Sequence, residues 1–136
     1  VGLNGFLGFV KYIFAAIGGV LGYFFGGLDG FVYTLMFFMA LDYVTGVLAA
    51  VKNKELSSEI GFWGLVRKLC SLSLVCIAHF VDLYVLGKGE IVRNTVIFFY
   101  IANEGISVLE NAGRLGVAYP KKLKDILNQL KDDKNA

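Results

Sequence analysis

A chain of 136 residues that is 57% hydrophobic and 18% charged, with a mean hydropathy of +0.66, carries more apolar surface than one small water-soluble core can hide. A bilayer removes that difficulty by acting as the solvent, so the composition excludes an ordinary soluble domain and predicts an all-α integral membrane protein. The net charge of +2 is unevenly spread: residues 1–113 hold seven basic and eight acidic side chains, whereas residues 114–136 hold six and three.

The first apolar run covers residues 6–25 and is interrupted only by Lys11. At 100° per residue, Gly8, Lys11, Ala15, Gly18, Gly19, Gly22 and Gly26 share about a third of the circumference, while Phe6, Ile13, Ile17, Val20 and Phe24 face the other way. Small residues four apart let helices approach closely in lipid, so this face is expected to be a helix-packing surface. The run is not followed by a small-residue cleavage site, and a removable signal peptide is not expected. The following Gly26-Gly27-Leu28-Asp29-Gly30 has the composition of a tight turn and contains no cation, which places it away from the cytoplasm.

A second run, residues 31–51, carries Asp42, Thr45, Gly46 and Ala49 on one stripe. Asp42 lies roughly 15 Å from Lys52 by helical rise, near the middle of a bilayer, where a carboxylate needs a partner or water. Lys11, on the glycine face, is a candidate partner. Lys52, Lys54, Arg67 and Lys68 then make a basic cytoplasmic segment, with Ser57 or Ser58 as a helix N-cap. The apolar residues from Ile60 to Val66 fit either an interfacial helix or the start of the next span.

The third span is expected over residues 69–86, with His79 and Asp82 one turn apart, and the fourth over 91–109. Arg93, Tyr100, Glu104, Ser107 and Asn111 form a narrow polar stripe on the fourth, with Asn103 beside it, and such a stripe must face other helices or water. Cys70 and Cys76 lie about 120° apart on a helix, so they are expected to be buried thiols that do not bridge each other. After Pro120, Leu123, Ile126, Leu127 and Leu130 follow helical spacing among Lys121, Lys122 and Lys124, a basic amphipathic segment suited to an anionic leaflet or to docking on the protein itself. The chain therefore divides into a transmembrane domain, 1–113, and a cytoplasmic basic tail, 114–136. The cation count by loop puts both termini in the cytoplasm.

Chemistry is limited. Neither GxxxxGK[ST] nor GxGxxG occurs, and one His with two in-span cysteines lacks metal-ligand spacing. No enzyme activity, cofactor, metal or nucleic-acid partner is expected. Four short helices in one copy cannot surround a wide aqueous path, whereas several copies can, which favours a homo-oligomer.

The sequence Asp42-x-x-Thr45-Gly46, then Lys52, Ser57-Ser58, Gly64 and Arg67-Lys68, followed by Asn103-Glu104, Ser107, Glu110-Asn111, Gly116, Pro120 and Leu123, resembles the bacteriophage lysis and clostridial toxin-secretion holin family. The resemblance covers roughly residues 40–130. It implies a multi-pass protein of the bacterial cytoplasmic membrane that associates with copies of itself and opens lesions. Endolysin or large toxins would leave through them as passive cargo. It gives the polar residues of the second and fourth spans a place in the family pattern without assigning them roles. A small proton-coupled transporter and an antiholin-type regulator stand as rival readings, the first releasing no protein and the second harmless alone.

Overall fold

The computed structural model describes residues 2–132 and, within them, the chain is made of helices joined by short loops, with no strand. Four long helices, α1 (Leu3–Phe25), α2 (Gly30–Lys52), α3 (Ser58–Phe80) and α4 (Ile91–Arg114), run alternately up and down, and a short α5 (Lys121–Asp132) follows. α3 continues without a break into a π-helical turn, Val81–Leu86, which ends on left-handed Gly87. Three of these helices are long and apolar enough to cross a membrane: α1, α2, and α3 with its π turn.

α4 has the length of a fourth span but not the composition. Its polar stripe lowers its hydropathy below that of the others, so three of the four expected spans are helices long and apolar enough to cross, and the fourth is a more polar helix packed among them. That helix is nonetheless the centre of the fold, because α2, α3 and α5 all pack against it. The core lies where α2, α3 and α4 meet, from Val32, Leu35 and Met39 to Val75, Ile97 and Ile101, with Phe25 from the end of α1.

Two boundaries differ from those expected. The third helix starts at Ser58, eleven residues before 69, because the Ser57 hydroxyl accepts the Ile60 N–H (3.4 Å) and no proline intervenes. Residues 58–68 are therefore the first turns of the third long helix, not a separate interfacial one. The fourth helix runs to Arg114 instead of 109. Cys70 is exposed and Cys76 half-buried, both free, so the expected burial of Cys70 is not met: it faces out of the bundle.

α1 is the least engaged helix. Only Phe25 of its residues is buried, and a Cβ added at Gly8, Gly18, Gly19 or Gly22 would meet nothing within 4 Å. Ala15 and Lys11 are exposed as well. Within one copy of the chain the glycine face has no partner. Gly26 is the exception, with φ +78° and a virtual Cβ 2.5 Å from His79 Nδ1. Gly26→Ala is expected to destabilise the fold by about 1–3 kcal/mol, from the left-handed backbone and the clash together, whereas Gly22→Ala, in open space within a helix, is expected to stabilise it by up to about 1 kcal/mol. Thermal unfolding of the two variants in detergent checks the contrast.

Candidate functional site

Three charged residues from three helices meet at one level. Asp42 stands ten residues before the end of α2, Lys68 ten after the start of α3, and Glu104 ten before the end of α4. Neighbouring helices of a hairpin run antiparallel, so equal distances from their shared end place the three side chains at equal height, roughly 15 Å in. Lys68 Nζ donates to Asp42 Oδ2 (2.6 Å) and to Glu104 Oε2 (2.5 Å), and the three side chains are only 12–16% exposed.

The surroundings complete the network. Asn111 Nδ2 donates to Asp42 Oδ1 (3.0 Å), to the Asp42 carbonyl (3.2 Å) and to Thr45 Oγ1 (3.0 Å), while Thr45 donates its hydroxyl back to the Leu41 carbonyl (2.7 Å). Gly46 lies beside it, with a virtual Cβ at ordinary contact distance (3.5 Å) from Asn111 Nδ2. Asp42 thus has the partner that its depth demands, in Lys68 and not in Lys11. Two carboxylates surround one ammonium, so the trio carries one negative charge more than positive when fully ionised.

The trio borders a crevice of about 570 Å³ that is lined by Tyr100, Asn103, Ser107 and Asn111 and continues past Gly46 and Gly64 to Arg67, Glu55 and Arg114 at the α2–α3 loop. At its mouth Arg114 pairs with Glu55 (2.9 Å), an exposed pair worth less than about 1 kcal/mol. Lys52 reaches the Arg114 carbonyl there (3.4 Å). Lys54 and Arg67 are exposed at the same end.

The remaining polar residues that the sequence singled out gather at the opposite end. Arg93 is fully buried, and all five of its guanidinium N–H groups find acceptors: Phe25 O (2.5 Å), Gly27 O (3.1 Å), both Asp29 oxygens (2.9 and 3.1 Å) and Asn94 Oδ1 (3.0 Å). Asp82, also buried, accepts the backbone N–H groups of Val92 (3.1 Å) and Arg93 (2.8 Å). It caps the start of α4 from the π turn of the preceding helix, where Glu90 provides no side-chain cap. Its carboxylate is occupied in this way and does not pair with His79, which instead packs near Gly26 and Phe80. Arg93, Asp82 and His79 are therefore a structural knot, separate from the crevice.

Asp29 caps α2 through Val32 N–H (3.0 Å) while holding Arg93. Partial burial works to raise its carboxyl, but the Arg93 hydrogen bond, the Val32 and Phe31 amides and the Arg93 charge together hold it below its ordinary 3.8. A carboxyl lowered by folding adds stability above its unfolded value, and that contribution is lost as pH falls through the still lower folded value. The wild-type advantage over Asp29→Asn in unfolding temperature is therefore expected to persist from neutral pH down to about 4 and to fade only below it. A pH series of melting curves for both proteins tests this.

Sequence reasoning placed Lys68 in the basic cytoplasmic loop, and so missed it as the hub of the trio. The signal was available in the spacing. Once the third helix is taken to begin at its Ser57 cap, Lys68 falls at the height of Asp42.

A polar network of this depth in an otherwise apolar helical bundle defines a small helical membrane protein built around a buried ion trio. The sequence pattern of the bacteriophage holin family matches residues 19–132, and this chain belongs to that family. An uncharacterised protein of Listeria monocytogenes is 44% identical over 118 residues, covering 87% of this chain and 84% of its own. A 14.9 kDa protein of Clostridium perfringens, from the region 3′ of nagH, is 37% identical over 97% of this chain and 100% of its own. A probable holin of Bacillus phage phi105 is 40% identical over 93 residues, 68% of each chain. No solved structure matches.

Proposed function

We propose that this protein acts as a holin: copies gather in the bacterial cytoplasmic membrane and open a path large enough for a folded protein, such as a murein hydrolase or a toxin. Family membership supports this most directly. The observation that adds to it is the division of faces within one copy. α1 leaves a whole glycine-bearing surface without a partner, which suits contact between copies, while the polar crevice around Asp42, Lys68 and Glu104 suits a wall that meets water in an assembly. Lys52, Lys54, Arg67 and Arg114, with Lys121, Lys122 and Lys124 at the start of α5, favour cytoplasmic placement of that end, and with it of both termini.

Inducible expression in bacteria together with a cytosolic endolysin tests the reading. Abrupt lysis that depends on both proteins is expected. A membrane that stays tight to proteins while passing small cations in a saturable, pH-dependent way would instead identify a transporter, and harmlessness alone with delay of another holin would identify a regulator.

Self-association through α1 carries its own prediction. Gly18→Leu with Gly22→Leu fills open space in the single chain, so melting is expected to stay within about 1 kcal/mol of wild type while assembly weakens. Cross-linking in membranes at low expression reads the assembly. Unchanged oligomers in the double variant would remove α1 as the contact.

A further inference from the structure

The face of the bundle made by α5 differs in kind from the face made by α1. α5 turns back along α4 from its Arg114 end. Leu127 is buried against Gly105, where an added Cβ would lie 2.9 Å from Leu127 Cδ1 and 3.2 Å from Phe38 Cε2 of α2. Further along, Leu130 and Lys131 border a groove with Thr95 and Val96 of α4 and Leu74 and Ile77 of α3. At 1.5 Å per residue the Gly105 seat is about 13 Å, and the groove about 27 Å, from the Arg114 end of α4.

That depth is where α2 and α3, both apolar enough to cross a membrane, flank α4. Asp125, Asn128 and Gln129 are exposed on α5, and none can rest against acyl chains without a large penalty. α1 presents the opposite character, with Phe6, Phe9, Phe14 and Ile17 all more than half exposed. One side of the protomer is suited to lipid and the other is not.

α5 packs along α4 through apolar contact alone. Leu127 is its one fully buried apolar residue, Leu130 is half-buried, Leu123 and Ile126 remain 44% and 46% exposed, and among the described residues no ion pair ties α5 to the bundle. We propose that the α5 side of α4 borders water within the assembled protein, and that α5 is a removable lining of that water path, seated by Leu127 on Gly105. The proposal rests on the holin reading for the existence of a path, and adds which face of the protomer lines it and what closes it.

The test uses the full chain in vesicles of phosphatidylethanolamine and phosphatidylglycerol, with Cys70 and Cys76 replaced by alanine. A nitroxide on a single cysteine at Asn128 is expected to collide with a water-soluble nickel chelate, and one at Phe14 with oxygen dissolved in the acyl chains. A label at 128 that reports acyl chains overturns the proposal. In a second variant, Gly105→Cys with Leu127→Cys, oxidation is expected to lock α5 in place and abolish release of a trapped enzyme, and a reductant to restore it. Failure of the pair to cross-link, or release that is measurable and equal before and after reduction, overturns the removable lining. If the membrane stays tight in both states while the label at 128 still reports water, the holin reading fails and the assignment of the watery face stands.

Discussion

Replacing Lys68 with methionine is expected to destabilise the protein by about 3–5 kcal/mol, because the substitution strands two mostly buried carboxylates that converge on its ammonium. The sign is set by what is left behind, not by the strength of the original pairs. Removing all three charges at once, as Asp42→Asn, Lys68→Met and Glu104→Gln together, leaves no orphaned ion and is expected to recover most of that loss. Thermal unfolding of the single and triple variants in detergent measures both. Equal instability of the two would show that packing around the trio, and not its charge balance, holds that level of the bundle.

Arg93→Ala is the other change of comparable size. Its five donors are each engaged, so truncation leaves the Phe25 and Gly27 carbonyls without a protein partner and removes the tie to Asp29, a cost of about 3 kcal/mol or more. Arg93→Lys is expected to rescue little, because an ammonium has three donors on a flexible stem where the guanidinium presents a rigid fork. Accumulation in membranes and melting temperature are the measurements. A lysine variant as stable as wild type would mean that charge alone suffices at this site.

The two knots were legible in the sequence to different degrees. Asp42 could be placed at depth because helical rise from Lys52 is simple arithmetic, and the polar stripe of α4 could be assigned to the interior because lipid excludes it. The partner of Asp42 could not, since the apolar run alone suggested that α3 began near residue 69 and left Lys68 in the loop. A capping serine moved the start by eleven residues and carried the lysine into the bundle. Arg93 was visible as a polar residue on α4, yet its acceptors are mostly backbone carbonyls and a turn aspartate more than sixty positions away, and such groups leave no pattern in the side-chain sequence. The glycine face of α1 could be drawn from helical spacing, but no rule of spacing says whether its partner lies in the same chain. The tail helix posed a similar question, and the seat that answers it is a missing side chain at Gly105.

The position of Arg93 has a mechanical consequence. Its backbone is gripped by the π turn that ends α3, its side chain by the last carbonyls of α1 and by the residue that starts α2, and it belongs itself to α4. All four long rods are thus riveted through a single residue at one extremity, whereas farther along α2, α3 and α4 are tied again by the ion trio and by Asn111, and α1 buries no residue but Phe25. A bundle fastened in that way leaves α1 the freest arm, hinged near Arg93, while the other three rods hold one another along their length.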